Sequence, residues 1–233
     1  MTIPRPSPNF DARPAGGVID MLVLHYTGMQ SAEAAVARLA DPAAQVSAHW
    51  LIDEDGDVYS LVPEAMRAWH AGLSFWRGET HVNARSIGIE LVNPGHEFGY
   101  RPFPEPQMIA LVDLARGILA RHPIPGRNVV GHADVAPRRK MDPGELFDWR
   151  RLALSEIGLW PQEADECVVD EDAVRSLLAL IGYETVDLFA TLKAFQRHYR
   201  PERVNGHLDW QTARLIGGLA RACAVSEPSR ADV

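Results

Sequence analysis

The stretch Gly131-His132-Ala133-Asp134-Val135-Ala136-Pro137-Arg138-Arg139-Lys140-Met141-Asp142-Pro143-Gly144 brings a histidine, a lysine and an aspartate close together in a loop punctuated by two prolines and two glycines. His and Asp are zinc-ligand types, and a catalytic zinc takes three N or O ligands and keeps one position for water. Such a water titrates near about 7. A carboxylate nearby can relay its protons, and a fixed cation can steady the oxyanion formed when a carbonyl is attacked. On this reading His25, His132 and Asp142 are candidate ligands for one zinc ion per chain, Glu90 is the candidate base and Lys140 the candidate cation. Each signal is weak alone. The chain has nine histidines, an Asp before Pro-Gly commonly just forms a turn, and a Lys beside two arginines commonly lies on a solvated face. What raises the reading is that five suitable residues fall at strand ends or in one loop.

The elements that must position them follow from periodicity. Val18 to Leu24 is a short apolar run that suits a buried strand, ending at His25. Asn128-Val129-Val130 reads as the end of another strand, which delivers His132. Neighbouring strands lie about 4.8 Å apart, so two such ends can aim imidazoles at one metal. In Ser86 to Val92 the alternation puts Ile87, Ile89 and Leu91 on one face and Ser86, Gly88, Glu90 and Val92 on the other. Small Gly88 leaves room beside the Glu90 carboxylate. In an extended loop, Lys140 and Asp142, at i and i+2, face the same way.

Around these lie a helix at Ser31 to Leu39 with Ser31 as N-cap, and a strand at Val46 to Ile52. That strand is joined by an acidic turn to its hairpin partner, Val58 to Val62. A long helix at Pro104 to Arg121 and another at Leu146 to Leu159 complete the set. The order predicts an α/β fold, a mixed central β-sheet flanked by helices, over residues 1–160, with residues 1–17 as an extended, proline-rich arm over the surface. An acidic linker at 161–171 leads to Asp172 to Ile181, Val186 to Tyr199 and Thr212 to Ala222. These predict a small three-helix domain within 172–233.

The net charge of −8 argues against a nucleic-acid partner. No apolar run approaches the ~20 residues of a membrane span. The N-terminal residues lack the apolar core of a secretory signal, which points to the cytoplasm. Cys167 and Cys223 are too few for a disulfide framework. They read as small thiols, with a single bridge in the C-terminal part as the alternative.

Val23-Leu24-His25-Tyr26-Thr27, Val46 to Trp50, Ala68-Trp69-His70-Ala71-Gly72, Asn83 to Leu91 and Gly131 to Gly144 together resemble the zinc-dependent N-acetylmuramoyl-L-alanine amidases of the AmpD-like family, relatives of the peptidoglycan recognition proteins. The resemblance covers about residues 15 to 160, and its last segment is the most specific. It implies zinc on His25, His132 and Asp142, a catalytic pair of Glu90 and Lys140, and cleavage of the amide between N-acetylmuramic acid and L-alanine in peptidoglycan or a muropeptide. By the same resemblance Trp69 and His70 line the substrate groove, with Trp69 in the core and His70 satisfying a loop as the alternative, and His49 is structural. Asn93 either contacts the stem peptide or makes a turn with Pro94-Gly95. The runs Ala194 to Pro201 and Asn205 to Thr212 resemble small helical peptidoglycan-binding domains. That favours the periplasm or the wall, against the cytoplasmic reading above. The rival functions are a metal-free peptidoglycan-binding protein and a zinc peptidase acting within the stem peptide. Arg138 and Arg139 have no part in this chemistry.

Overall fold

Met21-Leu22-Val23-Leu24 is fully buried, and the sheet is built outward from it. The computed structural model describes residues 2–164 and 169–225. The strands are β1 (Thr2–Pro4), β2 (Phe10–Ala12), β3 (Met21–Tyr26), β4 (Trp50–Ile52), β5 (Val58–Ser60), β6 (Met66–Ala68), β7 (Ser86–Leu91) and β8 (Val129–Gly131). The helices are α1 (Ala32–Ala40), α2 (Val82–Arg85), α3 (Gly95–Phe98), α4 (Glu105–Arg121), α5 (His132–Val135), α6 (Trp149–Leu154), α7 (Glu171–Ile181), α8 (Leu188–Tyr199) and α9 (Trp210–Val225). Six strands form a mixed sheet in the order β1-β5-β4-β7-β3-β8, while β2 and β6 pair separately. β3 lies parallel to both β7 and β8, and its register sets His25 opposite Glu90.

Side-chain alternation gives the sheet two different faces. Leu22, Leu24, Ile87, Ile89 and Leu91 pack on Met108, Leu111, Val112, Ala115 and Ile118 of α4. Burying one such side chain stabilises the fold by roughly 1.5–3 kcal/mol. On the opposite face Met21 and Val23 pack into a cluster with Leu178, Leu192, Phe195 and Ile216 of the C-terminal helices. Leu51 packs with Ala32, Ala35 and Leu39 of α1. His25 and Glu90 lie on this second face.

The mixed sheet with flanking helices and the extra helical cluster are as expected, and several boundaries differ. β3 extends through Tyr26, so His25 lies inside the strand. Only Trp50–Ile52 of the expected strand at 46–52 is regular; Ser47 N–H donates to Trp69 O and His49 N–H to Gly88 O instead. The helix expected at 146–159 is only Trp149–Leu154, capped by Asp148, whose Oδ1 accepts from Arg151 N–H at 3.0 Å. It stops where Glu156 and then Gly158 turn to positive φ. The N-terminal arm is tied into the fold by strand pairing. β1 pairs with β5 and β2 with β6. The Arg13 guanidinium donates to the carbonyls of Glu64, Ala84 and Ser86.

Asp170, Asp187 and Asp209 cap α7, α8 and the start of α9 by accepting from Ala173, Ala190 and Thr212 N–H. Gln196 Oε1 accepts from Asn205 and Gly206 N–H, and Arg200 Nη1 reaches Asp209 at 2.6 Å. The two C-terminal motifs therefore hold each other. Of the expected linker, Ala164 is buried and its N–H donates to Arg214 O. Cys223 is buried; Cys167 lies outside the described residues, as does part of the linker.

Candidate metal centre

β3 supplies His25, the first turn of α5 supplies His132, and the segment after α5 returns Asp142. The three donor atoms converge although His25 and Asp142 are 117 positions apart. His25 Nδ1 lies 2.9 Å from His132 Nδ1 and 3.1 Å from Asp142 Oδ2, and His132 Nδ1 lies 3.0 Å from Asp142 Oδ2. All three residues are buried.

The protonation pattern follows from the outer partners. Ser86 Oγ–H donates to Val82 O at 2.6 Å, so its oxygen accepts from His70 Nε2–H at 3.1 Å. His70 Nδ1 then carries a lone pair and accepts from His25 Nε2–H at 3.0 Å. His132 Nε2–H donates to Ala71 O at 3.0 Å. Both Nδ1 atoms therefore present lone pairs to each other and to a carboxylate oxygen. Three acceptors facing one point repel one another unless a cation sits among them. A tetrahedral zinc with bonds of about 2.0–2.1 Å would hold its donors roughly 3.3 Å apart, close to the spacing found. The donor set, two imidazoles and a carboxylate, is that of a catalytic zinc. Burial and then His132 push the His25 imidazole down to about 4, so it stays neutral.

Glu90 and Lys140 line the same cavity as His132 and Asp142, with Trp69 and Tyr26 on its walls. Glu90 Oε2 is sealed from solvent and meets no donor among the described residues. Burial, with Asp142 adding to it and Lys140 opposing, pushes the Glu90 carboxyl well above its ordinary value. β7 is an interior strand, and the nearby Arg85 Nε donates to Asp20 Oδ1 at 2.7 Å rather than to Glu90.

Two open expectations gain detail. The room that Gly88 leaves is filled by the His70 ring; a Cβ there would stand 2.5 Å from His70 Cγ. His70 is buried, and both its nitrogens are engaged in orienting His25. Asn93 is fully buried and turn-forming: its Oδ1 accepts from Gly95 N–H, and its Nδ2 donates to Arg101 O. Sequence reasoning also missed Arg139. Its guanidinium donates to Ala71 O at 3.0 Å and Leu73 O, so it fixes the carbonyl that orients His132. Nothing in the loop's composition separates it from Arg138, which pairs with Glu184 near the surface.

Comparison with known proteins agrees with this geometry. The profile of the N-acetylmuramoyl-L-alanine amidase family matches residues 15–145. N-acetylmuramoyl-L-alanine amidase AmiD of Escherichia coli K12 is 39% identical over 229 residues, spanning 86% of this chain and 82% of that protein. The solved complex of E. coli AmiD with the substrate anhydro-N-acetylmuramic acid-L-Ala-D-γ-Glu-L-Lys superposes with a TM-score of 0.80 at 37% identity, covering 90% of this chain and 92% of that one. The AmpDH3 structure from Pseudomonas aeruginosa gives 0.78 at 35% identity, over 90% and 94%.

Proposed function

We propose that this chain, which belongs to the N-acetylmuramoyl-L-alanine amidase family, hydrolyses the amide between the lactyl group of N-acetylmuramic acid and L-alanine, in peptidoglycan or its soluble fragments. The observation that carries the reading is the convergence of three lone pairs from His25, His132 and Asp142 beside the unpartnered carboxylate oxygen of Glu90. These three residues would hold one zinc ion per chain. The ion, when bound, supplies Lewis acidity toward the carbonyl and acidifies water.

The remaining work falls to this chain's side chains. Glu90 takes a proton from the water that adds to the amide carbon. Burial, which raises its pKa, favours its holding that proton between the two steps. Lys140 faces the developing oxyanion. Glu90 then gives its proton to the alanine nitrogen as the C–N bond breaks, leaving a lactyl carboxyl group and a peptide with a free amine. Trp69, half-buried on the cavity wall, offers an apolar surface to the sugar or peptide.

The test is digestion of defined muropeptides, anhydro and reduced, followed by mass spectrometry. The amidase reading expects intact stem peptides with a free N-terminal alanine. Internal peptide fragments would instead support a peptidase, and retained binding without products or stoichiometric zinc would support a binding protein. Assay of fractionated cells settles the compartment for which cytoplasm is proposed.

A further inference from the structure

Asp134 belongs to the one-turn helix that begins at His132, yet it points away from the cavity and is almost wholly buried. Its Oδ2 accepts from Gly131 N–H at 2.7 Å, fixing the peptide just before His132. The same oxygen accepts from His198 Nδ1 on α8 at 2.7 Å. Its Oδ1 accepts from the Tyr183 hydroxyl, just after α7, at 2.7 Å. The His198 ring is itself held, stacked on Trp149 with centroids 3.7 Å apart.

This clamp reaches two of the three candidate ligands. Gly131 is enclosed so closely that a Cβ on it would stand 2.7 Å from Pro143 Cδ and 3.2 Å from Trp149. Pro143 directly follows Asp142, and Ala133 N–H donates to Asp142 O at 2.8 Å. Holding Gly131 therefore holds both the peptide that carries His132 and the segment that carries Asp142. Charge-assisted bonds to a buried carboxylate are among the stronger local restraints, and such outer supports commonly set metal affinity.

We infer that the C-terminal helical unit is part of the frame of the metal centre: Tyr183 and His198 are positioning residues that act through Asp134 on His132 and Asp142. The inference rests on the zinc reading above for its functional consequence, and on geometry alone for its effect on the backbone. It gives the helices a task in the reaction distinct from any holding of wall polymer.

Tyr183→Phe and His198→Phe keep the rings and remove the donors. In the metal-free double variant, hydrogen exchange at the Gly131 and Ala133 amides should quicken at least tenfold, while the amides of β3 and β7 stay protected. Zinc affinity, measured by competition with a chelator, should fall about tenfold or more, with kcat reduced at subsaturating zinc and KM nearly unchanged. His198→Asn, which restores an N–H close to the position of Nδ1, should recover part of the loss. A folded double variant with wild-type exchange at Gly131 and wild-type zinc affinity overturns the inference. If the double variant does not fold, Tyr183→Phe alone is read by the same two measurements. A parent protein that binds no zinc would instead overturn the function proposed above, and exchange at Gly131 would still decide the clamp.

Discussion

Gly88→Ala is the smallest change that should reach the metal centre without touching it. The new Cβ would lie 2.5 Å from His70 Cγ and 2.7 Å from both Cδ2 and Nδ1. Carbon atoms rest about 3.5–4.0 Å apart, so the ring must retreat by roughly 1 Å. His70 is tied at 3.0 Å to His25 Nε2 and at 3.1 Å to Ser86 Oγ. A retreat of that size stretches at least one of these ties beyond hydrogen-bonding range. Overpacking of this kind costs about 1–3 kcal/mol of stability, and loss of an outer partner lowers metal affinity or activity about 10–100-fold. The assay is chelator competition for zinc, with urea unfolding and turnover measured in parallel. His70→Ala added to Gly88→Ala should relieve the clash and recover stability but not zinc affinity, which separates packing from orientation. A folded Gly88→Ala protein with wild-type zinc affinity and turnover would refute the claim that His70 orients His25.

Glu90→Gln removes the proton carrier with little change in shape; turnover should fall at least ~100-fold while zinc content by elemental analysis stays at the parent level. Dialysis against a strong chelator should abolish hydrolysis, and added zinc should restore it; activity that survives complete metal removal would sink the zinc assignment. Burial and then Arg13 push His49 down to about 3, so it is neutral in the fold, whereas it titrates near about 6.5 when unfolded. Between those values the unfolded chain binds a proton that the fold does not. Stability from this residue is therefore intact above about pH 6.5 and declines as the pH falls toward about 3, by up to ~1.4 kcal/mol per unit. Urea unfolding from pH 7 to 4 should show this slope, and His49→Gln should make it shallower by about one proton.

The ligands were legible because each has a chemical type that strand ends and loops rarely combine by chance: His25 after an apolar run, His132 after another, Asp142 in the loop beyond. Glu90 was legible for the opposite reason, as a carboxylate amid apolar strand neighbours. Strand boundaries were not, because Ser47 and His49 spend their backbone donors on Trp69 and Gly88 rather than in a ladder, and periodicity does not see such exchanges. The orienting role of His70 was not legible, because a histidine next to Trp69 looks the same whether it faces substrate or a ligand; only the register that lays it over Gly88 brings it to His25. Asp134 was passed over inside the very loop that was singled out, since its partners Tyr183 and His198 lie 49 and 64 positions away.

The N-terminal arm has a consequence for how the chain is made. Thr2–Pro4 must wait for Val58–Ser60, Phe10–Ala12 for Met66–Ala68, and Arg13 for the carbonyl of Ser86. Every such pairing closes a long loop before it gains a contact. Until then the edge of β5 is open to pairing with another chain. Once paired, β1 takes that edge of β5 out of reach of intermolecular association.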